Sequence, residues 1–164
     1  MCGIVGYLGT KTVTPLLCRG IKRVEYRGYD SAGIGVIERG QLEVVKFAGD
    51  PQVTIDAAMD REFTGTCGLA HTRWATHGDI VDKNAHPHLD CHGAIAVVHN
   101  GMLWNHEALQ AELVGSGHSI RSDTDTECIA HFIESFRVKG LSLLQSVQNT
   151  ARLLKGSAFA IVVV

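Results

Sequence analysis

The chain has 164 residues, 45% of them hydrophobic and 20% charged, with a formal net charge of -2. Its basic residues are scattered, and no apolar run approaches the eighteen or so residues of a membrane span, so neither nucleic acid nor membrane is an expected partner. Five cysteines at irregular spacing, with no basic-then-apolar leader before them, point to a reduced, cytoplasmic protein of one domain.

In chain order, residues 2–8 (CGIVGYL) read as a strand. TPLLCRGIKRVEY follows as a helix, with Pro15 suited to a first turn and Leu17, Ile21 and Val24 on one side. YRGYDSAG is a polar, glycine-rich loop. AGIGVIE and QLEVVKF flank Arg39-Gly40 as a hairpin. A short helix is expected near 52–61 and a strand at 67–72. No period holds from Arg73 to His92, so this stretch is a long loop, and long loops in compact domains tend to be functional or disordered. GAIAVVH (93–99) is a buried strand ending at Asn100-Gly101, and NHEALQAELVGSG a helix closed by glycine. Thr124 and Glu127 have capping-box spacing, which predicts a helix over 124–138 with Ile129, Phe132, Ile133 and Phe136 as its stripe. Leu144, Val147, Ala151 and Leu154 mark another helix, and SAFAIVVV a last strand. Val164 ends that strand without a polar tail, which reads as a chain cut inside a domain.

Strands and helices come in blocks, which favours α+β with largely antiparallel sheets. Neither G-x-G-x-x-G nor a P-loop occurs, and no cofactor is expected. HPHLDCH holds metal-ligand types in His86, His88, Cys91 and His92, but not at the spacing of a zinc framework. It reads as a polar loop carrying imidazoles, with no metal; a His/Cys metal-binding protein is the alternative.

Three loops carry unusual residues: Tyr26–Gly33, His71–Gly78, and His99-Asn100-Gly101 with Thr124–Glu127. Singly, each has a plain reading. Asn-Gly is a turn signal, Asp125 suits a helix N-terminus, and Arg73-Trp74 can stack at a surface. Cys2 adds a second possibility. Removing Met1 would put a thiol and a free α-amine on one residue, groups whose ordinary pKa values, about 8.5 and about 8, nearly match.

Taken together, CGIVGY, EYRGYDSAG, AHTRWATHG, NAHPH, VVHNG and SDTDTE give a resemblance. The chain resembles the N-terminal-nucleophile glutaminase domain of class II glutamine amidotransferases, and most closely the branch that aminates fructose 6-phosphate. The resemblance implies an enzyme with a four-layer αββα fold of mainly antiparallel sheets. It makes Cys2 the nucleophile and its α-amine the base, with glutamine converted to glutamate and ammonia through a thioester. Asn100 and the Gly101 N–H would form the oxyanion hole. Arg73 would clamp the substrate carboxylate and Asp125 its ammonium. Trp74, Thr76 and His77 would belong to the loop closing over glutamine, and Arg27 to the loop near the nucleophile. Residues 1–164 would be the N-terminal part of the glutaminase domain, without the sugar-isomerase domains that bind fructose 6-phosphate, and the full-length parent a homo-oligomer. If Met1 stays, Cys2 lacks its base and the chain becomes a non-catalytic glutamine-binding fragment.

Overall fold

The computed structural model describes residues 2–75, 78–156 and 160–164, with 160–162 described by backbone alone. Four strands form one antiparallel sheet in the order β1-β4-β2-β3: β1 (Gly3–Leu8), β2 (Ser31–Glu38), β3 (Gln41–Ala48) and β4 (Cys67–Arg73). Three form a second antiparallel sheet in the order β5-β6-β7: β5 (His88–Leu89), β6 (Ala96–Asn100) and β7 (Ala160–Val163). Helices α1 (Thr14–Val24) and α2 (Pro51–Asp60) pack on the first sheet. Helix α4 (Thr126–Val138) packs on the second, with α3 (His106–Gly115) and α5 (Leu143–Leu153) against it. Among the described residues no helix is long and apolar enough to cross a membrane.

Three hydrophobic clusters separate four layers. Val13, Leu17, Ile21, Ile34, Val36 and Ala70 pack between α1, α2 and the first sheet. Val97, Leu109, Leu113, Ile129 and Ile133 pack between the second sheet and its helices. Leu69, Ala96 and Val98, with Ile4, Leu42 and Leu89, fill the space between the sheets. This is the αββα sandwich implied by the resemblance.

Local chemistry explains most elements. Pro15 stands in the first turn of α1, where a missing N–H costs nothing. Arg39 and Gly40, at φ 51° and 82°, make the tight turn of the β2–β3 hairpin. Asp50 caps α2 by accepting the Gln52 N–H at 2.8 Å.

Three expectations are corrected. Thr124 and Glu127 form no capping box. Asp125 is the N-cap of α4 and makes no side-chain cap bond, while Glu127 turns back to accept the N–H groups of Arg121 and Ser122 at 2.8 and 2.6 Å. The capping box belongs to α5, where Ser142 and Gln145 bond reciprocally. The helix marked by Leu144, Val147, Ala151 and Leu154 is present as α5, and Val147 and Leu154 pack into the second cluster, but Leu144 and Ala151 are exposed and Ser146 and Thr150 take their place in the buried face. Finally, the stretch from Arg73 to His92 contains a 3-10 turn at Asp82–Asn84 and the short strand β5. Of the expected last strand, 157–159 lie outside the described residues.

Candidate active site

Period-two alternation brings the expected residues together. In β4, Ala70 faces α1 and α2, so Leu69 and His71 face the second sheet, with Arg73 at the same parity. In β6, Val97 faces the helices, so Ala96, Val98 and Asn100 face the first sheet. β1 runs antiparallel to β4 with Gly3 opposite Thr72, which sets Cys2 beside the C-terminal end of β4. The catalytic candidates therefore gather at one end of the inter-sheet layer.

The Cys2 sulfur accepts the Trp74 N–H at 3.2 Å. The Cys2 carbonyl accepts from Arg27 Nε at 3.3 Å and from Asn100 Nδ2 at 3.2 Å. Asn100 is itself oriented: its Oδ1 lies 2.9 Å from Nε2 of buried His71. An amide oxygen only accepts, so Nε2 carries the proton and Asn100 must turn its NH₂ toward Cys2. Burial pushes His71 down to about 4, outweighing the opposing effect of Asn100, so the imidazole stays neutral. Gly101 follows at φ 147°, a conformation side chains rarely adopt.

Arg73 is buried and donates to the carbonyls of Gly78 and Asp79 at 3.3 and 3.2 Å. Burial lowers its guanidinium pKa, while Cys2, Asp30 and Asp125 raise it. Asp125, also buried, accepts the Leu103 N–H at 2.8 Å. It thereby ties the start of α4 to the segment just after Asn100-Gly101. Trp74 is 45% exposed and stands edge-on to Tyr29, ring centres 5.6 Å apart. Asp30 fixes the same segment by accepting the Ala75 N–H at 2.8 Å. A side chain at Gly28 would collide with the backbone of Arg73 and Trp74, so RGYDSAG packs directly on HTRWA. Thr76 and His77 lie outside the described residues.

The sequence did not single out His71 or Lys46. Lys46 donates to the carbonyls of Ala85 and Pro87 at 2.7 and 3.1 Å, holding NAHPH over the first sheet. Burial lowers its pKa to about 8. The ligand types of HPHLDCH part company. His86 stacks on His71 at 4.1 Å, and His88 bonds Thr124 Oγ1 at 2.9 Å, both inside the inter-sheet layer. Cys91 and His92 instead face α4.

The αββα sandwich, with Cys2 at one end of its inter-sheet layer bonded to an oriented amide, is a fold of the N-terminal-nucleophile type. The sequence profile described as "Glutamine amidotransferase domain" matches residues 58–149, and the chain belongs to that family. It is similar to glutamine–fructose-6-phosphate aminotransferase [isomerizing] of Aquifex aeolicus, 47% identical over 165 residues covering all of this chain and 28% of the relative. The corresponding protein of Pyrococcus horikoshii is 50% identical over 141 residues, covering 85% of this chain and 24% of the relative. The chain thus spans about a quarter of the length of these curated relatives. Among solved structures, it is similar to glutamine phosphoribosylpyrophosphate amidotransferase from B. subtilis complexed with ADP and GMP. That match has a TM-score of 0.83 at 26% identity, over 99% of this chain and 35% of the other. A structure titled "allosteric regulatory enzyme of purine biosynthesis" gives 0.86 at 27% identity, with the same coverage.

Proposed function

We propose that this chain performs the glutaminase half-reaction, with Cys2 as nucleophile once Met1 is removed. The α-amine takes the thiol proton, and the sulfur attacks the side-chain carbonyl carbon of glutamine. The carbonyl oxygen becomes an oxyanion held by the second N–H of Asn100 and the Gly101 N–H. The C–N bond breaks, the proton passes to the leaving nitrogen, and ammonia departs from a glutamyl thioester. Water then cleaves the thioester to glutamate. Arg73 clamps the α-carboxylate through its planar fork and Asp125 pairs with the α-ammonium, so an amino acid is selected over a simple amide. Trp74 covers the bound glutamine.

The observation that supports this reading is the hydrogen-bonded chain His71–Asn100–Cys2, which fixes an amide donor on the backbone carbonyl of the nucleophile candidate. In the full-length protein the ammonia goes to fructose 6-phosphate, giving glucosamine 6-phosphate in domains beyond this chain, within a cytoplasmic homo-oligomer.

The test uses protein whose intact mass verifies loss of Met1. Glutamate release should follow saturable kinetics, and a glutamine analogue carrying an electrophilic ketone should label Cys2 alone. Saturable glutamine binding without glutamate release from Met1-free protein would leave the chain a binding fragment and overturn the reading.

A further inference from the structure

We propose that Cys91, His118, His131 and Glu134 form a zinc site that staples the β5–β6 connection to α4, outside the glutaminase centre. The four residues span 91 to 134, and their ligand atoms all lie within 4.8 Å of one another. The Cys91 sulfur is 3.4 Å from Nδ1 of both His118 and His131. Those two nitrogens are 3.3 Å apart, and Glu134 Oε2 is 3.1 Å from the first and 3.3 Å from the second. Zinc bonds of about 2.0–2.3 Å at the tetrahedral angle separate ligand atoms by about 3.3–3.6 Å. Five of the six edges of the cluster, at 3.1–3.4 Å, come close to those separations.

The outer nitrogens of the imidazoles explain why a cation belongs at the centre. His118 Nε2 lies 2.9 Å from Ser135 Oγ, whose own proton is donated to the His131 carbonyl at 3.0 Å. His118 Nε2 must therefore be the donor, leaving Nδ1 as a bare lone pair. His131 Nε2 faces Glu127 Oε1 at 3.5 Å, and a carboxylate only accepts, so Nε2 keeps its proton and Nδ1 is the nitrogen free to turn a lone pair to a metal. The two Nδ1 atoms and the carboxylate of Glu134 point at one another and at a thiol. Groups held this close need either shared protons or a cation between them; a cation bound by all four takes the thiol as thiolate, and the displaced protons pass to water. Oriented imidazoles with carboxylate and hydroxyl partners on their far side are the usual outer shell of a metal site.

Thiolate and imidazole select zinc over calcium or magnesium, and four protein ligands leave no open position, so the role is structural. The staple reaches the substrate site only indirectly. Glu127, behind His131, also accepts from Arg121, Ser122 N and Ser122 Oγ, and so orders the segment leading to Asp125.

The test uses the full chain, stripped with a chelator and then exposed to zinc alone. One zinc per chain should survive gel filtration, and the midpoint of thermal unfolding should rise by several degrees over the stripped protein. Cobalt in place of zinc should give intense tetrahedral absorption with a thiolate-to-metal band. That band should persist in Cys2→Ala and vanish in Cys91→Ser. If Cys91→Ser does not fold, the Cys2→Ala spectrum still decides, because Cys2 is the competing thiol. Absence of retained zinc, a weak octahedral cobalt spectrum, or a thiolate band lost in Cys2→Ala would each overturn the site.

Discussion

The two ends of the molecule that gather polar side chains do so with opposite polarity. Around Cys2 the converging groups are donors: the Trp74 N–H on the sulfur, and Arg27 and Asn100 on the carbonyl. Around Cys91 they are metal-ligand types: two imidazole nitrogens and a carboxylate facing a thiol. Donors preorganised around an open position favour negative charge that develops during a reaction. Ligand atoms preorganised around a closed one suit a resident cation. Under the two proposals the same residue type serves chemistry in one place and cross-linking in the other.

The largest effect that separates the two cysteines is chemical. Cys2→Ala should reduce glutamate release by at least about 10⁴-fold, because no neighbouring group can replace the thioester. Cys91→Ser should register in metal content and thermal stability. Dominant labelling of Cys91 by the glutamine-analogue electrophile would reverse the assignment.

Acid should strike the inter-sheet layer hardest. His71, His86, His88 and His99 all have pKa values lowered by burial, His71 to about 4. An unfolded chain takes up these protons near pH 6.5 while the native state does not, so stability is full above 6.5 and falls as the pH drops toward 4. His71 alone accounts for about 3 kcal/mol over that window. In the zinc-free protein His131 has the opposite sign: despite burial, Glu127 and Glu134 raise its pKa, so its contribution is present below 6.5 and lost as the pH climbs through the raised value. Urea midpoints from pH 7.5 to 4.5 should fall steeply, and His71→Gln, which keeps a donor for Asn100, should flatten the fall. A level wild-type profile would contradict neutral burial of these rings.

This contrast also explains what the sequence could disclose. The catalytic end is built from short local segments at strand ends, so CGIVGY, HTRWA and HNG each expose a fragment of it, and β-alternation assembles them. The Arg39-Gly40 hairpin was legible for the same reason. His71 was hidden because an imidazole in an apolar strand looks like any buried residue until Asn100 is known to face it. The Cys91 cluster was hidden because its ligands come from a strand connection, a helix-to-helix segment and α4, with only His131 and Glu134 close in sequence. Thr124 and Glu127 misled for a related reason: the spacing was right, but Glu127 found better donors in Arg121 and Ser122.

Within the catalytic end, Asn100 and Asp125 should separate rate from recognition. Asn100→Ala removes a donor needed mostly in the transition state and should lower kcat by about 100-fold or more, near 3 kcal/mol. Asp125→Asn keeps an oxygen for the Leu103 N–H but removes the charge that faces the substrate ammonium. It should raise KM for glutamine by about 10- to 100-fold with kcat little changed. An Asn100→Ala variant altered only in KM would remove the oxyanion assignment.

The smallest effect probes whether the helical layer and the catalytic end are separable. Ser142 and Gln145 close the first turn of α5, and α5 packs on α4, which carries His131 and Glu134. Ser142→Ala removes the acceptor for the Gln145 N–H, held at 3.2 Å, at a solvent-exposed helix start. Loss of such a cap costs about 1 kcal/mol. For a chain of this size that is a fall of about 2–4 °C in Tm. Ser142 touches none of Cys2, Asn100, Arg73 or Asp125, so kcat and KM for glutamine should stay at wild-type values. If KM rises along with the fall in Tm, strain in the outer helices reaches Asp125 through α4, and the two regions behave as one cooperative unit.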